Sequence, residues 1–261
     1  MKRVIIAGSP RANGRSGHLA EMLFEACIDE SPGDELFLIP VSEVEIGPCI
    51  GCNACRKQTE VTVVDDAGAE TVELRPRCVF DDDMQGVYDL LDDADEVTVV
   101  SPIYFSGSPA VLKCLLDRLQ PYFWADTRKA GKRPLVLHVV GEGGDPHGYG
   151  ALVSEVRSAF ACAGFRLERI LDWVGKIDAH GEILAEAEET PLPPIGDAAA
   201  GKRADAEANA SEKSDRAPQE EKKPRPKLDL SKAGKQAAHT GTRQQGRKQG
   251  GKQQGKGKRR G

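Results

Sequence analysis

The sequence predicts an α/β protein with a doubly wound parallel sheet, because short apolar runs alternate with helical patterns through most of its first 175 residues. Two of the runs, residues 2–7 and 35–40, enclose a helical pattern with short connections. Such a unit implies a right-handed crossover and a parallel pair of strands. Small, polar or glycine-rich residues follow three of the runs, as expected where an open sheet binds a ligand.

The periodicity of the apolar residues assigns each element in turn. The predicted strands are residues 2–7, 35–40, 96–101, 134–140 and 165–174. The predicted helices begin near Gly17, and at residues 82, 110 and 149. A last, short helical pattern at residues 181–189 ends before a proline-rich stretch.

The charge of the chain is divided unevenly along its length. The 261 residues contain 36 Lys+Arg and 41 Asp+Glu, but residues 201–261 contain 18 and 7 of these, respectively. An acidic body of residues 1–190 is therefore followed by a basic tail of residues 191–261. The tail is rich in Ala, Lys, Gln, Gly and Arg and has few large apolar residues, so we expect it to be disordered.

The composition also bears on the compartment of the protein. No apolar run is long enough to span a membrane, and residues 1–7 enter a strand without a signal-peptide pattern. Seven cysteines, several of them closely spaced, suit a reducing compartment better than a secreted disulfide framework. The sequence therefore predicts a cytoplasmic protein with no membrane partner.

The loop at residues 8–16 has the layout of a phosphate-binding turn. It follows a buried strand and precedes a helix, whose first backbone N–H groups are unpaired and whose dipole favours an anion. Ser9 and Ser16 add hydroxyl donors, and Arg11 and Arg15 add positive charge. The loop has neither the Gly-Lys-Ser/Thr ending of a P-loop nor the Gly-x-Gly-x-x-Gly pattern of a dinucleotide-binding unit.

Four cysteines mark residues 49–78. Cys49, Cys52 and Cys55 are spaced so that three thiols can point inward from one tight loop, which suits an iron–sulfur cluster or zinc. Cys78 follows after 22 intervening residues, within which residues 61–64 and 71–74 are β-prone. An antiparallel hairpin there would return the chain to its start and bring Cys78 to the other three. Free thiols, zinc and a disulfide remain alternatives to the cluster.

Two further loops follow strands and carry ligand-binding features. Tyr104 and Phe105 offer flat faces in a loop with two serines and Gly107, where backbone amides can bind a polar ring. Residues 141–148 form a glycine-rich loop after the next strand, whose His147 is interpreted as a surface residue. We assign no side chain as a catalytic acid or base.

Four of these stretches resemble a known family. The form G-S-P-R-x-N-G-x-S at residues 8–16 resembles the FMN phosphate loop of the NAD(P)H-dependent FMN reductase family, within the flavodoxin-like fold. Residues 101–118 resemble the flavin-ring loop and following helix of this family, and residues 141–148 its third flavin loop. The cysteine pattern ending in D-D-M at residues 82–84 resembles the iron–sulfur flavoproteins of the same family. The resemblance covers roughly residues 1–185.

The resemblance implies a flavodoxin-like sheet of five parallel strands in the order 2-1-3-4-5, and an FMN cofactor. It also implies a [4Fe-4S] cluster on Cys49, Cys52, Cys55 and Cys78, NAD(P)H as co-substrate, a small electron acceptor and a homodimer. The implied FMN-binding residues are Ser9, Arg11, Asn13, Arg15, Ser16, Pro102, Ile103, Tyr104, Phe105, Ser106, Gly107, Gly141, Gly143 and Gly144.

Three functions are therefore open at this point. The first is an FMN-dependent NAD(P)H oxidoreductase of the flavin or quinone reductase type. The second is an electron-transfer flavoprotein that never meets a nicotinamide. The third is a nucleic-acid-associated protein anchored by its tail, whose residues 231–261 contain ten Lys+Arg and no Asp or Glu. Contact between this tail and a polyanion would involve phosphates alone, since the segment has no aromatic residue to stack on bases.

Overall fold

The structure is a computed structural model that describes residues 1–64, 68–125, 127 and 131–194. The strands are β1 (Lys2–Ala7), β2 (Glu35–Pro40), β3 (Thr59–Val64), β4 (Glu70–Arg75), β5 (Glu96–Pro102), β6 (Arg133–Val140), β7 (Phe165–Asp172) and β8 (Glu188–Thr190). The helices are α1 (Arg15–Glu30), α2 (Met84–Asp93), α3 (Ala110–Asp117), α4 (Gln120–Trp124) and α5 (Gly150–Cys162). The basic tail from residue 195 onward lies outside the described residues, so its predicted disorder is not tested.

The main sheet is mostly parallel and runs in the order β2-β1-β5-β6-β7-β8. The pairs β1–β2, β1–β5, β5–β6 and β6–β7 are parallel, and β8 is antiparallel to β7. The α/β fold class predicted from the alternating pattern is confirmed. The sheet differs from the expected five strands because a sixth strand pairs with its edge.

The segment after β7 corrects the expectation of a short helix at residues 181–189. Asp178 accepts hydrogen bonds from the backbone N–H groups of His180 and Glu182, which closes a turn. Glu188–Thr190 then pairs with the open edge of β7. The segment has too few apolar residues to bury one face of a helix, so its backbone groups are satisfied by the turn and the sheet edge.

Helices cover both faces of the sheet. On one face α1 packs Leu19 and Ala20 against the sheet, together with Ile177 from the segment after β7. On the other face α2, α3 and α5 bury the larger cluster, in which Met84, Leu115 and other aliphatic and aromatic side chains are fully enclosed. Among the described residues, no helix combines the length and apolar character that a membrane crossing requires.

The insertion between β2 and α2 forms the predicted hairpin. Strands β3 and β4 pair antiparallel from Thr59 with Arg75 to Val64 with Glu70, in a sheet of their own. Arg75 and the buried Arg77 then bond Asp92 on α2, at 3.2 Å and 2.8 Å. These ion pairs fix the base of the hairpin to the main body. The turn at residues 65–67 lies outside the described part of the chain.

Candidate functional site

A cleft of about 400 Å³ opens at the carboxyl ends of β1, β5 and β6. Adjacent parallel strands end at the same edge of a sheet, so the loops that leave them meet there. The cleft is lined by the loops at residues 9–16, 102–104 and 141–149, and by two residues at the end of β7, Asp172 and Val174. The three loops that sequence analysis assigned to a ligand therefore face one cavity.

The first loop is held by close backbone packing. The N–H of Gly8 donates to the carbonyl of Val100 at 2.7 Å, and a Cβ on Gly8 would lie 2.7 Å from Leu112. A Cβ on Gly17 would lie only 1.8 Å from the carbonyl oxygen of Ala12. The turn therefore folds tightly onto the first turn of α1, in a way that only glycine permits at residue 17.

The buried Ser9 closes the same loop with its side chain. Its Oγ accepts a hydrogen bond from the N–H of Arg11 at 3.1 Å and donates to the Arg11 carbonyl at 3.0 Å. Helix α1 begins after Gly14 and, within the described residues, has no side-chain N-cap and no acidic residue in its first turn. Its N–H groups and dipole are thus left to attract an anion in the cleft.

The two arginines of this loop have different surroundings. Arg11 is exposed at the rim of the cleft. Arg15 pairs with Glu142 at 2.8 Å, and its Nε donates to the carbonyl of Ile177 at 3.0 Å. Arg15 therefore links the first loop to the glycine-rich loop, while Arg11 keeps its charge for a ligand.

The second loop is a tight two-residue turn. The backbone groups of Tyr104 and Gly107 exchange hydrogen bonds of 2.9 Å and 3.0 Å. Phe105 and Ser106 between them have φ values of 50° and 66°, the left-handed pair typical of a type I′ turn. Side chains rarely adopt this conformation, so the turn is strained and needs support from its surroundings.

Helix α5 supplies that support. The carbonyl of Ser106 accepts a hydrogen bond from Leu152 N at 2.9 Å, and Ser108 Oγ donates to Glu155 at 2.6 Å. Tyr104 lines the cleft, whereas the Phe105 side chain at the tip of the turn is 100% exposed. The loop is therefore an exposed, braced structure, and its two aromatic residues do not share one role.

The third loop obtains its shape from glycines. Gly143 and Gly144 have φ values of 93° and 86°, which other residues rarely adopt. The carbonyl of Gly141 accepts a hydrogen bond from Gly175 N at 2.9 Å, which fixes the start of the loop. Asp145 accepts a hydrogen bond from the N–H of the exposed His147, in agreement with the interpretation of this histidine as a surface residue.

A tyrosine and an aspartate line the cleft without having been predicted to do so. The Tyr149 hydroxyl donates to Asp172 at 3.0 Å and lies 2.9 Å from Thr190 Oγ1. Burial is the largest cause that raises the pKa of Tyr149 above its usual value, so the hydroxyl stays protonated at neutral pH. The contact between Tyr149 and Thr190 depends on β8, and no pattern in the sequence indicates it.

The cleft contains ten of the fourteen residues expected to bind FMN. Those ten are Ser9, Arg11, Arg15, Ser16, Pro102, Ile103, Tyr104, Gly141, Gly143 and Gly144. The four that do not line it are Asn13, Phe105, Ser106 and Gly107. Other residues that line it are Gly14, Val140, Glu142, Asp145, Gly148, Tyr149, Asp172 and Val174.

The four cysteines lie around a second cavity, of about 290 Å³. Cys49 and Cys52 are exposed, and Cys55 and Cys78 are half-buried. Burial, followed by the charge of Cys78, raises the pKa of the Cys55 thiol. The donor set of four thiols around one cavity fits an iron–sulfur cluster chemically. In the described ranges, however, no three His, Cys, Asp or Glu side chains are already arranged as ligands of a metal ion.

A buried ion pair lies at the wall of the cysteine cavity. Arg118 bonds both carboxylate oxygens of Asp82, at 2.7 Å and 2.9 Å, and its Nη1 donates to the carbonyl of Gly47 at 3.0 Å. Burial acts to raise the pKa of Asp82, but the bonds from Arg118 and Gly47 N outweigh it and lower the pKa. The pair joins the start of the cysteine loop to α2 and α3.

The fold and the cleft define a doubly wound α/β protein with a cleft at the carboxyl ends of its parallel strands. The family model for NADPH-dependent FMN reductase matches residues 1–169, and the chain belongs to this family.

Curated relatives agree with this assignment. The chain is 32% identical over 121 residues to an iron–sulfur flavoprotein of Methanocaldococcus jannaschii, which covers 46% of this chain and 53% of the relative. It is 33% identical over 120 residues to an iron–sulfur flavoprotein of Methanosarcina thermophila, which covers 45% of this chain and 52% of the relative. The matches thus span about half the length of these relatives.

A solved structure titled as the apo form of an NADH:FMN oxidoreductase aligns with 66% of this chain and 74% of its own. Its TM-score is 0.41 at 21% sequence identity.

Proposed function

We propose that this protein is an FMN-dependent oxidoreductase that accepts reducing equivalents from NAD(P)H, with FMN bound in the 400 Å³ cleft. The observation that carries the proposal is the uncapped N-terminus of α1 at one end of a cleft whose other loops surround a space for a ring. Membership of the NADPH-dependent FMN reductase family supports the same cofactor.

The phosphate end of the cleft is assigned to the first loop. Arg11 supplies an exposed positive charge at the rim, and Ser16 supplies a hydroxyl in the first turn of α1. Ser9 shapes the turn through its two bonds to Arg11 rather than only through contact with a ligand. Arg15 is already paired with Glu142, so we assign it mainly to holding the first and third loops together.

The ring end is assigned to the second and third loops. The N–H of Ile103 donates to Val140 and that of Tyr104 to Gly107, so neither is available to a flavin. We therefore assign ring hydrogen bonds to amides of the glycine loop, chiefly those of Gly143 and Gly144, and the side wall to Tyr104. Bound FMN would supply hydride acceptance and one- or two-electron transfer, while the protein holds and exposes the ring.

The first test measures FMN binding to Arg11→Ala, with Arg166→Ala as a matched control. Arg166 is an exposed arginine on β7 that pairs with Glu168 and does not line the cleft. Loss of the charge-assisted bond from Arg11 should weaken FMN binding by about 1.5–3 kcal/mol and leave the fold intact. Unchanged affinity in Arg11→Ala would contradict the assignment of the phosphate end.

The second test separates the oxidoreductase from an electron carrier that does not use a nicotinamide. Steady-state oxidation of NADH and of NADPH is followed with a quinone, FMN or ferricyanide as acceptor. Turnover with either nicotinamide supports the proposal and gives the preference between the two. A flavin-loaded protein that oxidises neither, but is reduced by dithionite, would identify the electron carrier instead.

A [4Fe-4S] cluster is proposed as a second redox group. Cys49, Cys52, Cys55 and Cys78 would hold it, and it would supply one-electron transfer. The support is the cavity that the four cysteines share, together with the similarity of the chain to iron–sulfur flavoproteins. Anaerobic purification followed by iron and sulfide analysis tests it, and a chain that retains neither element would leave four free thiols in a reducing, cytoplasmic setting.

The proposals for the tail and for the oligomer are independent of the cleft. Deletion of residues 200–261 should leave FMN binding and NAD(P)H oxidation within a few-fold of the full chain. It should abolish retention on a polyanion column at low salt, because the tail carries the basic charge. Loss of flavin on truncation would show that the tail contributes to the site. Sedimentation of the full chain tests the proposed homodimer.

A further inference from the structure

Arg118 is the largest fully buried side chain of the protein, with 1% of its surface exposed. Its Nη atoms bond Asp82 and Gly47, and its guanidinium lies 5.0 Å from the centre of the Phe80 ring. Its Nε is buried and has no hydrogen-bond partner among the described residues. One N–H of a buried cation is thus left unpaired.

Such an arrangement is costly to a protein. A buried ion pair often contributes little net stability, because removal of both charges from water offsets their attraction. An unpaired buried donor adds a further cost, and such atoms are rare in folded proteins. The combination therefore suggests that Arg118 is placed for something that its present contacts do not supply.

The surroundings of Arg118 indicate which group its unpaired N–H could bind. Arg118 lines the same cavity as Cys49, Cys52, Cys55 and Cys78. Of the described residues that line this cavity, Arg118 alone carries a positive charge, and thiolates there would be anionic acceptors for its free N–H.

We propose that Arg118 is a positioning residue for the sulfur-bound group of the four cysteines, directing its Nε–H and its charge at that sulfur. The inference deepens the proposed function, because it rests on the four thiols acting together as ligands. Through Gly47 and Asp82 the same side chain fixes the start of the cysteine loop. Arg118 remains protonated throughout, so one-electron reduction of the group changes only the charge on the sulfur side.

The test uses Cd²⁺ as a probe, because this ion binds four thiolates without needing inorganic sulfide. Cd²⁺ affinity is measured from thiolate-to-metal absorbance for the wild-type chain, Arg118→Met and Arg118→Lys. We expect at least tenfold weaker binding in Arg118→Met, which lacks the charge. Arg118→Lys keeps the charge without the Nε–H, so its affinity should lie between the other two.

Arg133→Met is the control for loss of a half-buried, multiply bonded arginine away from the cavity. Arg133 donates to the carbonyls of Leu91, Asp92, Ala94 and Ala163 and does not line the cysteine cavity. It should bind Cd²⁺ as the wild type does. If Arg118→Met does not fold, Arg118→Lys decides, since wild-type affinity in that variant would show that the Nε–H plays no part.

A second measurement follows the reduction potential of any cluster that the wild type takes up. Arg118→Met should lower the reduction equilibrium constant about tenfold, which is about 59 mV for one electron, because a cation near sulfur favours the reduced state. Arg118→Lys should shift it less. A purely structural role would alter cluster content and leave the potential unchanged.

The outcomes distinguish this inference from the cluster itself. A wild-type chain that binds Cd²⁺ through four thiolates but takes up no iron would refute the cluster and leave the role of Arg118 standing. A wild-type chain that does not bind Cd²⁺ would overturn the inference, because the thiols would not converge. Equal Cd²⁺ affinity in the wild type and Arg118→Met would also overturn it.

Discussion

The cleft proposed for FMN and the cysteine cavity of this protein are held together by different kinds of interaction. The cleft is formed by loops at the ends of three neighbouring strands and is held by backbone bonds, such as those from Gly8 to Val100 and from Ile103 to Val140. The cysteine cavity is formed by a segment inserted between β2 and α2 and by the two helices α3 and α4 that it contacts. Side-chain ion pairs fasten that segment.

This difference predicts different vulnerabilities. Backbone hydrogen bonds of a sheet are numerous, so a single side-chain change that needs no extra space should leave the backbone framework of the cleft in place. The cysteine cavity depends on Arg118 with Asp82 and on Arg77 with Asp92, which are few and largely buried. Removing one partner of such a pair leaves an uncompensated buried charge.

The largest expected effect comes from a substitution that disrupts the wall of the cysteine cavity and leaves the cleft unchanged. Asp82→Asn should lower the free energy of unfolding by about 3–4 kcal/mol, because Arg118 then stays buried without a counter-charge. Asp81→Asn, at the exposed neighbouring position, is the control and should have little effect. Denaturant unfolding measures both, and equal FMN affinity in the two variants would confirm that the regions are separate.

A fall in pH should destabilise the main sheet, because His138 is buried in β6. Burial lowers the pKa of His138 to about 4, and its Nδ1 accepts a hydrogen bond from Trp173. The folded pKa lies below that of the unfolded chain, so the unfolded state binds the proton first as the pH falls. Stability should therefore drop by about 3 kcal/mol between pH 7 and pH 4.

His138→Gln provides the comparison for that pH dependence. The variant should show a smaller loss of unfolding free energy over the same pH range, by about the contribution of one buried histidine. Its absolute stability at pH 7 will differ, so the slope with pH is the quantity to compare. An identical slope in the two proteins would assign the acid sensitivity to other groups.

A substitution that forces the first loop to move should disrupt the cleft and leave the cysteine cavity unchanged. Gly17→Ala places a Cβ 1.8 Å from the Ala12 carbonyl, so the first loop must move. We expect a loss of about 2 kcal/mol in stability and a marked loss of FMN affinity. Gly33→Ala is the control, since nothing lies within 4 Å of its added Cβ. Cd²⁺ binding by the cysteines should be the same in both variants.

The smallest expected effect divides the two aromatic residues of the second loop. Tyr104→Ala should weaken FMN binding by about 1 kcal/mol and alter its visible spectrum, because Tyr104 lines the cleft. Phe105→Ala should change neither, since that side chain points away into solvent. A flavin titration of each variant decides, and equal losses would restore the original expectation that both form the wall.

The cleft was largely predictable from the sequence because its determinants are local. A buried strand followed by Ser9, Arg11 and Ser16 at a helix start indicates an anion site without reference to distant residues. The parallel order of the strands brings the other two loops to the same edge. The hairpin was also predictable, since residues 61–64 and 71–74 are β-prone and close in sequence, and the observed strands extend them to residues 59–64 and 70–75.

The rest depended on contacts between distant parts of the chain. Sequence patterns predicted a helix at residues 181–189 and did not reveal that residues 188–190 form a strand paired with β7. That strand forms because the edge of β7 is open, which depends on the tertiary fold. Nor did they show that Tyr104 faces the cleft and Phe105 faces solvent, which follows from the φ values of one braced turn.

By itself, therefore, the sequence determined the class of fold, the anion-binding loop and the family, through periodicity and short motifs that act over a few residues. Only the tertiary structure decided which residues line each cavity. It also decided that Arg118, 63 residues beyond Cys55, would line the cysteine cavity while its buried Nε has no partner among the described residues. The physical reason is that burial and charge pairing are properties of the packed chain, so local sequence patterns do not predict them.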